Sequence, residues 1–501
     1  MNKCYFLKRV DNNPKLHSKI WAGVDKAELN HNNFCGADVI APIVTAQAVC
    51  SIDGITVKFE SDEKNPIMRY SHSNQPAWLD SCVEFFFAPY PDKDGTYFNF
   101  EQSLGGALLV QKGTNSADRI YIPHSDDYFH TEREIHNDGW SIQFFIPFGF
   151  IDKHFETTNK EFYGNFQFCC EEKDVYLTWN KIENPVPAFH KPAYFGKLEL
   201  DMSILDRLHA ECVRNDSYHV YRICEMTKED EIKVCEPVPS ADLHKVYSIT
   251  KCVVSILTGM LQDRGMLSVQ DKVADYLSEY FPENVDPKWF DVSIADVLHH
   301  RNGGSGGGLY NQHVYENKPG DKDFLYYIFC DKLPYEIGKE IVYCDSNYYI
   351  ISRIIEKVTG KKTDEWALEN LFNPLLFESP AWPRCPQGHS LGGSGLCLRT
   401  QDIAKLGWLY ANGGVYKGKQ IISKNWIKQA IDVIEVDKYG GYGFAVQKCM
   451  YMKSDEFYLA GAGDQCVIFT IGKPRVIAFN ASGAGGHMGL LKRAVEMLRE
   501  E

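Results

Sequence analysis

Long apolar runs are missing from this chain. No stretch approaches the about 18 uninterrupted apolar residues of a spanning helix, so no membrane span is expected. The opening, MNKCYFLKRVDNNPKLHSK, has a few basic residues but lacks the apolar core of a secretory signal. The expected compartment is therefore the cytoplasm. A long basic run is also absent, and the formal net charge is −14. Both argue against nucleic acid or an anionic membrane as a partner. No CxxC pair occurs, and no Cys/His cluster has structural-zinc spacing, so neither a metal nor another cofactor is expected. The 16 cysteines are scattered, many in apolar runs, such as Cys169 and Cys170 in GNFQFCCEE and Cys252 in KCVVSIL. Such cysteines read as small hydrophobes in a reducing compartment rather than as a disulfide framework. Repeats at solenoid periods and low-complexity tracts are absent.

Two familiar catalytic or binding loops are lacking as well. No GxSxG elbow follows a strand; GGSGL at 392–396, with Ser394 central, reads as a turn. GGSGGG at 303–308 follows no strand and no Lys-Ser/Thr ends it. It is not a phosphate loop and reads as a mobile loop at a rim.

What is present is a chain of 501 residues, 44% apolar and 24% charged, enough for two or three soluble domains. Its halves differ. Up to about residue 200, short alternating runs (VCSIDGITVKFES, SCVEFFFAPY, WSIQFFIPF, FGKLELD) are separated by turn signals such as PDKDGTY and HNDGW. Period-two alternation with aromatics predicts an antiparallel β-sandwich over 1–202. From 203 to 501 helical runs dominate: SITKCVVSILTGMLQDRG, SIADVLHH, SNYYIISRIIEKVTG and TQDIAKLGWLYANGG. A hairpin (YHVYRICEMT, DEIKVCEP) precedes them; three apolar strands and a closing helix, LLKRAVEMLREE, follow. Strands at both ends with helices between predict an α+β domain whose sheet is assembled from both termini.

Tyr247-Ser248-Ile249-Thr250-Lys251 leads directly into an apolar helical run. Ser248 is thus expected at a helix N-terminus, where the macrodipole favours developing negative charge. Lys251 lies one turn on along the same face, where an amine can take the serine proton if its pKa is lowered. An SxxK alone also fits a serine N-cap beside a surface lysine.

The surrounding blocks add to this. SITKCVVSILTGMLQDRGMLSVQDKVADYLSEYFP, DVSIADVLHHRNGG, VYCDSNYYIISRIIEKVTGK, GGSGLCLRTQDIAKLGWLYANGGVYKGKQIIS and LAGAGDQCVIF occur in this order over about 300 residues. Together they resemble the penicillin-binding-protein and β-lactamase-like serine hydrolases. The resemblance implies a β-lactamase/transpeptidase-like domain with Ser248 as the acylated nucleophile and Lys251 as its base or base partner. It implies that Tyr343 is a second proton-transfer group; the bland reading of Tyr343 is an aromatic packed at a helix start. The oxyanion hole would be the amides of Ser248 and Ala462, just after Gly461.

Two positions depart from that pattern. Asp345 stands where the family usually has Asn. It would either raise the Lys251 pKa and weaken it as a base, or orient it by a hydrogen bond. Leu459-Ala460-Gly461 lacks the usual Lys or His, removing a carboxylate anchor. His487 in GGHMG reads as a loop residue after the last strand, and His299 and His300 as histidines at a helix C-terminus.

In the first half, NQPAWLDSCVEFFFAP, GTYFNFEQSLGG, DGWSIQFFIPF and YLTWNKIENPVPAFHKPAYFGKLELD resemble the family nine carbohydrate-binding module. The resemblance implies sugar stacking on Trp78 and Trp179, with Glu84 accepting sugar hydroxyls. The arginine it calls for near YFNFE is absent. Otherwise the two tryptophans are core residues and Glu84 faces solvent.

The leading expectation is a serine hydrolase that forms an acyl-enzyme on Ser248. An esterase on a neutral acyl substrate leads, with an acylated carbohydrate as one candidate substrate and an amide as another. A second expectation is a non-catalytic carbohydrate- or peptide-binding protein on a hydrolase scaffold. A third is a β-lactamase or D-Ala-D-Ala carboxypeptidase.

Overall fold

The computed structural model describes residues 3–32, 34, 39–88, 95–155, 161–184, 186–306, 322–437, 440–483 and 487–500. Its contacts divide the chain into two units, Met1–Arg214 and Asn215–Glu501. The helix Ile204–Arg214, which the sequence places with the second half, therefore belongs to the first. Its Ala210 is buried in that unit's core.

The first unit follows from alternation. Along the strand Cys82–Ala88, Val83, Phe85 and Phe87 enter one core while Cys82, Phe86 and Ala88 enter another. The main core joins the two halves of the sheet: Phe59 lies 6.5 Å from Phe144 and 6.1 Å from Phe166, ring centre to ring centre. The expected sandwich is present with one correction. The strand Cys4–Arg9 pairs in parallel with Gly196–Leu200 and with Val44–Cys50. A parallel pair needs a long crossover, and between its first and last strands the unit has its whole length to cross. The other ladders of this unit are antiparallel among the described residues.

In the second unit the strand Val220–Lys228 pairs antiparallel with Lys473–Ala481. Next to it lie Gln465–Thr470 and Glu456–Gly461. The sheet is thus built from both ends of the unit, as the pattern predicts. YGFAVQKCMYM is not one strand but two, Gly440–Tyr442 and Gln447–Cys449, with Ala445 at φ 62° between them. The helix Ile249–Asp263 is buried all round from Ile249 to Leu261, as befits a central helix with few charges. Thr400–Ala411 packs on the sheet: a Cβ at Gly407 would lie 2.6 Å from Val467. Among the described residues no helix is long and apolar enough to cross a membrane.

Candidate active site

Val246 and Tyr247 turn the chain sharply into the central helix. The amides of Ile249, Thr250 and Lys251 donate to the carbonyls of Val246, Tyr247 and Ser248, each at 3.0 Å. Tyr247 accepts a φ of 44°, a left-handed conformation that costs a bulky residue on the order of 1 kcal/mol or more. Ser248 is the N-cap residue, yet its hydroxyl does not cap the helix. It turns instead toward two other side chains.

Lys251 Nζ donates to Ser248 Oγ at 2.9 Å, and the Tyr343 hydroxyl donates to the same oxygen at 2.7 Å. Lys251 Nζ also sits 4.7 Å from the centre of the Tyr343 ring. Its remaining donors go to the Gly393 carbonyl at 2.6 Å and to the Asp345 carboxylate. Lys251 is fully buried. Burial alone would push its ammonium down, but Tyr343 and Asp345 outweigh it, and the net shift is upward. Asp345 thus accepts a hydrogen bond from the amine and, after Tyr343, adds to the upward shift.

Tyr343 is half-exposed, and Asp345 opens the helix Asp345–Thr359. Both are positioned by His300, which is fully buried. Its Nδ1 accepts the Cys344 amide at 3.2 Å and lies 3.1 Å from Asn347 Nδ2; its Nε2 faces the Tyr442 hydroxyl at 3.2 Å. The ring centres of His300 and Tyr343 are 4.5 Å apart. Burial, then the Lys251 charge, push the His300 imidazolium well below its usual range, so the ring is neutral. His299 is the C-cap of the helix Ile294–Leu298 and His300 follows it, as the sequence reading has them, but the shift of His300 is downward, so the dipole does not hold it charged. His299 is likewise buried, 4.5 Å from the Phe444 ring.

Gly461 ends its strand against the turn before Ser248. A Cβ there would fall 2.3 Å from the Val246 carbonyl oxygen, so only glycine lets the strand come this close. Gly463 reaches the Tyr247 ring from the same turn. Ala462 lies between these two glycines in the chain. Leu459 is wholly buried and paired with Val467, so no cation stands at this strand position.

Gly393 is a site residue that motif reading missed. It was legible only as part of a turn. A Cβ there would collide with Asp345 at 2.5–2.9 Å, and its carbonyl is the one that holds Lys251. The two consecutive glycines before Ser394 are the sequence trace of this approach. His487 begins the closing helix His487–Arg499 rather than lying in a loop. Of GGSGGG, Gly307 and Gly308 lie outside the described residues.

In the first unit, Trp78 and Trp179 do not share a face. Trp179 is 4% exposed in the main core, edge-on to Tyr5 at 6.2 Å and 5.5 Å from Phe166. It has no free face for a sugar. Its parity with Val175 and Leu177, both in the same core, carries this signal. Trp78 is half-buried on the opposite face, where Tyr176, Phe189 and Tyr194 join it. Glu84 lies on that face too, but buried rather than solvent-facing. Burial, then Glu101, push its carboxyl well above the usual range. The arginine absent near YFNFE arrives from elsewhere: Arg119 lies 3.6 Å from Glu101 and 2.8 Å from both Gln111 and His190.

Comparison with known proteins agrees with this division. The carbohydrate-binding family 9 model matches residues 21–200, and the β-lactamase model matches 229–498. A 6-aminohexanoate-dimer hydrolase of Paenarthrobacter ureafaciens is 24% identical over 203 residues, which is 38% of this chain and 51% of that protein. An N-acetylmuramyl-L-alanine amidase of Bacillus subtilis is 32% identical over 124 residues, 24% of this chain and 28% of that one. A penicillin-binding-protein homologue from Caulobacter crescentus superposes with a TM-score of 0.49 at 16% identity, covering 59% of this chain and 96% of its own. The chain spans about half the length of the curated relatives it matches. With a family model over more than half of its length and an α+β unit of the matching kind, the chain belongs to the β-lactamase family of serine hydrolases.

Proposed function

We propose that the chain is an esterase that works through an acyl-enzyme on Ser248. The observation that carries this reading is the convergence of two side chains on one oxygen, Lys251 at 2.9 Å and Tyr343 at 2.7 Å. Because Tyr343 and Asp345 shift Lys251 toward its charged form, the proton acceptor in this reading is the Tyr343 oxygen, in a reactive state in which Tyr343 has first given its own proton to solvent and accepts from Ser248 Oγ instead of donating to it, with the Lys251 ammonium as the neighbouring cation. The Ser248 proton passes to Tyr343 as Oγ attacks the carbonyl carbon. The tetrahedral oxyanion accepts hydrogen bonds from the Ser248 and Ala462 amides at the positive end of the helix. Collapse expels the alkoxide, which takes the proton back from Tyr343. Water then repeats the sequence and releases the acid.

Leu459 favours a neutral acyl group, since a substrate carboxylate would meet no cation on this strand. That weighs against penicillin-like and D-Ala-D-Ala substrates. Amide cleavage is the second reading, favoured by the two amide-hydrolysing relatives. In the first unit, the Trp78 face, with Tyr176 rather than Trp179 as its second aromatic, is the place where a sugar would stack. An acylated carbohydrate would join the two halves of this reading.

The test is a fluorophosphonate probe and short-chain p-nitrophenyl esters, applied to wild type and to Ser248→Ala, with the labelled peptide located by mass spectrometry. Label and turnover are expected in wild type and absent in the variant. A wild-type protein that neither labels nor turns over would leave a binding protein on a hydrolase scaffold.

A further inference from the structure

Two adjacent strands of the first unit place four polar side chains in a square. Cys82 and Glu84 stand two apart on Cys82–Ala88, hence on one face. On the neighbouring strand Glu161–Cys170, Cys169 is the direct partner of Cys82 and Gln167 the direct partner of Glu84. Directly opposed side chains on one face of a sheet lie about 4.5–5.5 Å apart at Cβ. All four are at most 3% exposed. The two sulfurs and a Glu84 carboxylate oxygen lie within 4.8 Å of one another, and Cys169 Sγ is 2.9 Å from Glu84 Oε1. Among the described residues no other trio of His, Cys, Asp or Glu brings its ligand atoms together in this way.

Such a cluster is costly if it is only packing. Neither the Oε1 nor the Nε2 of Gln167 meets a hydrogen-bond partner among the described residues. A buried amide left so forfeits the hydrogen bonds it made to water and gains none in return. A cation at the centre of the square would be met by two sulfurs, the carboxylate and the Gln167 carbonyl oxygen, a closed four-ligand set. Ligands on a tetrahedral zinc, with Zn–S about 2.3 Å and Zn–O about 2.1 Å, lie about 3.4–3.8 Å apart. The spacing of the two sulfurs and the Glu84 oxygen needs shifts of no more than about 1 Å to reach this. Sulfur ligands select a thiophilic ion over calcium or magnesium.

We propose that Cys82, Glu84 and Cys169, completed by Gln167, form a structural binding site for a thiophilic divalent cation, zinc foremost. The two thiols and the carboxyl give up their protons to solvent as the metal binds, leaving thiolate and carboxylate ligands. The metal would pin the strand pair beneath Trp78, whose carbonyl lies 3.6 Å from Cys169 Sγ. It would set the shape of that aromatic face without touching its ligand. This site lies apart from Ser248 in sequence and in unit, and stands whether or not the esterase reading does.

The test uses the full chain, reduced, stripped with a chelator, reloaded with zinc sulfate and desalted. One zinc per chain is expected by plasma mass spectrometry, with loss from Cys82→Ser and from Cys169→Ser. Cobalt in place of zinc is expected to give a sulfur-to-metal charge-transfer band in the near ultraviolet. Chelation should lower the melting temperature of wild type and leave that of Cys169→Ser unmoved. Should a serine variant fail to fold by circular dichroism, Glu84→Gln keeps both sulfurs: it should retain the cobalt band and lose zinc to a competing chelator sooner than wild type. The proposal is overturned by wild-type protein that returns from desalting without zinc and gives no cobalt–sulfur band, or by zinc contents equal in wild type and both serine variants. It is also overturned by an intact mass showing Cys82 and Cys169 joined as a disulfide in protein kept under thiol.

Discussion

Tyr343→Phe separates the two side chains that meet Ser248. It removes one oxygen, 2.7 Å from the nucleophile, and leaves the ring against His300 and over Lys251. The lost hydrogen bond is half-exposed, so folding stability should fall by only about 0.5–1.5 kcal/mol. Catalysis should suffer far more. With Lys251 held as an ammonium, its 2.9 Å contact with Oγ can donate but cannot accept. Among the described residues no second base then stands beside the serine. Loss of a positioned general base costs about 10²–10⁴ in rate, equivalent to about 3–5 kcal/mol of barrier. The assay is steady-state hydrolysis of p-nitrophenyl acetate and butyrate by wild type and variant, with urea unfolding to read stability. The loss should appear in kcat/KM, with KM nearly constant. A variant within threefold of wild type would refute the assignment of Tyr343 as acceptor and return that role to Lys251.

Asp345→Asn removes the charge that holds Lys251 ionised, so the lysine pKa should fall and stability should drop by up to about 3 kcal/mol, read by urea unfolding. Gly461→Ala forces a methyl to within 2.3 Å of the Val246 carbonyl. The strand must retreat from Ser248, and kcat should fall about 10²–10³ through the displaced oxyanion amide while the fold persists by circular dichroism. His300 is a base depressed in the folded state and ordinary, near 6.5, when unfolded. Below about pH 6.5 the unfolded chain therefore binds the extra proton and stability is lost as pH falls, by up to about 1.4 kcal/mol per pH unit from this one group. Denaturation midpoints of wild type and His300→Gln, compared from pH 8 to 5, should converge toward low pH. Trp78→Ala should abolish any retention on an immobilised-glycan array, whereas a Trp179→Phe core variant should bind as wild type does.

The parts of the site legible in the sequence are those held by local geometry. Ser248 and Lys251 are one helical turn apart, so spacing finds them, whereas Tyr343 and Asp345, at a helix start, come only from the family resemblance. Gly393 and His300 were not legible in that way. Their roles depend on which loop the fold carries to Lys251 and to Cys344, and a glycine pair or a helix-end histidine has many commoner uses. The alternation that found the sandwich also held the correction for Trp179. Its parity with Val175 and Leu177 assigns it to the core, the alternative that the sequence left open beside sugar stacking. Glu84 misled for a different reason. Alternation separates two faces without saying that one of them is wet, and here both faces of Cys82–Ala88 are covered. The parallel pairing of Cys4–Arg9 could not be read from any local pattern, since it joins segments nearly a unit apart.

The sheet of the second unit closes only when Lys473–Ala481 reaches Val220–Lys228, a junction marked by the ion pair between Arg475 and Glu225, 250 positions apart. During synthesis the helix bearing Ser248 emerges long before the strands that complete the sheet beside it. Until then the apolar girdle of that helix, buried on every side in the finished unit, faces solvent. Loop closure over such a span is slow, so the growing chain is an aggregation-prone species for tens of seconds at ribosomal rates of about 5–20 residues per second. A ribosome stalled before residue 473 should therefore present a nascent chain that engages chaperones and takes no fluorophosphonate label, and release of the last strand and helix should switch both properties together.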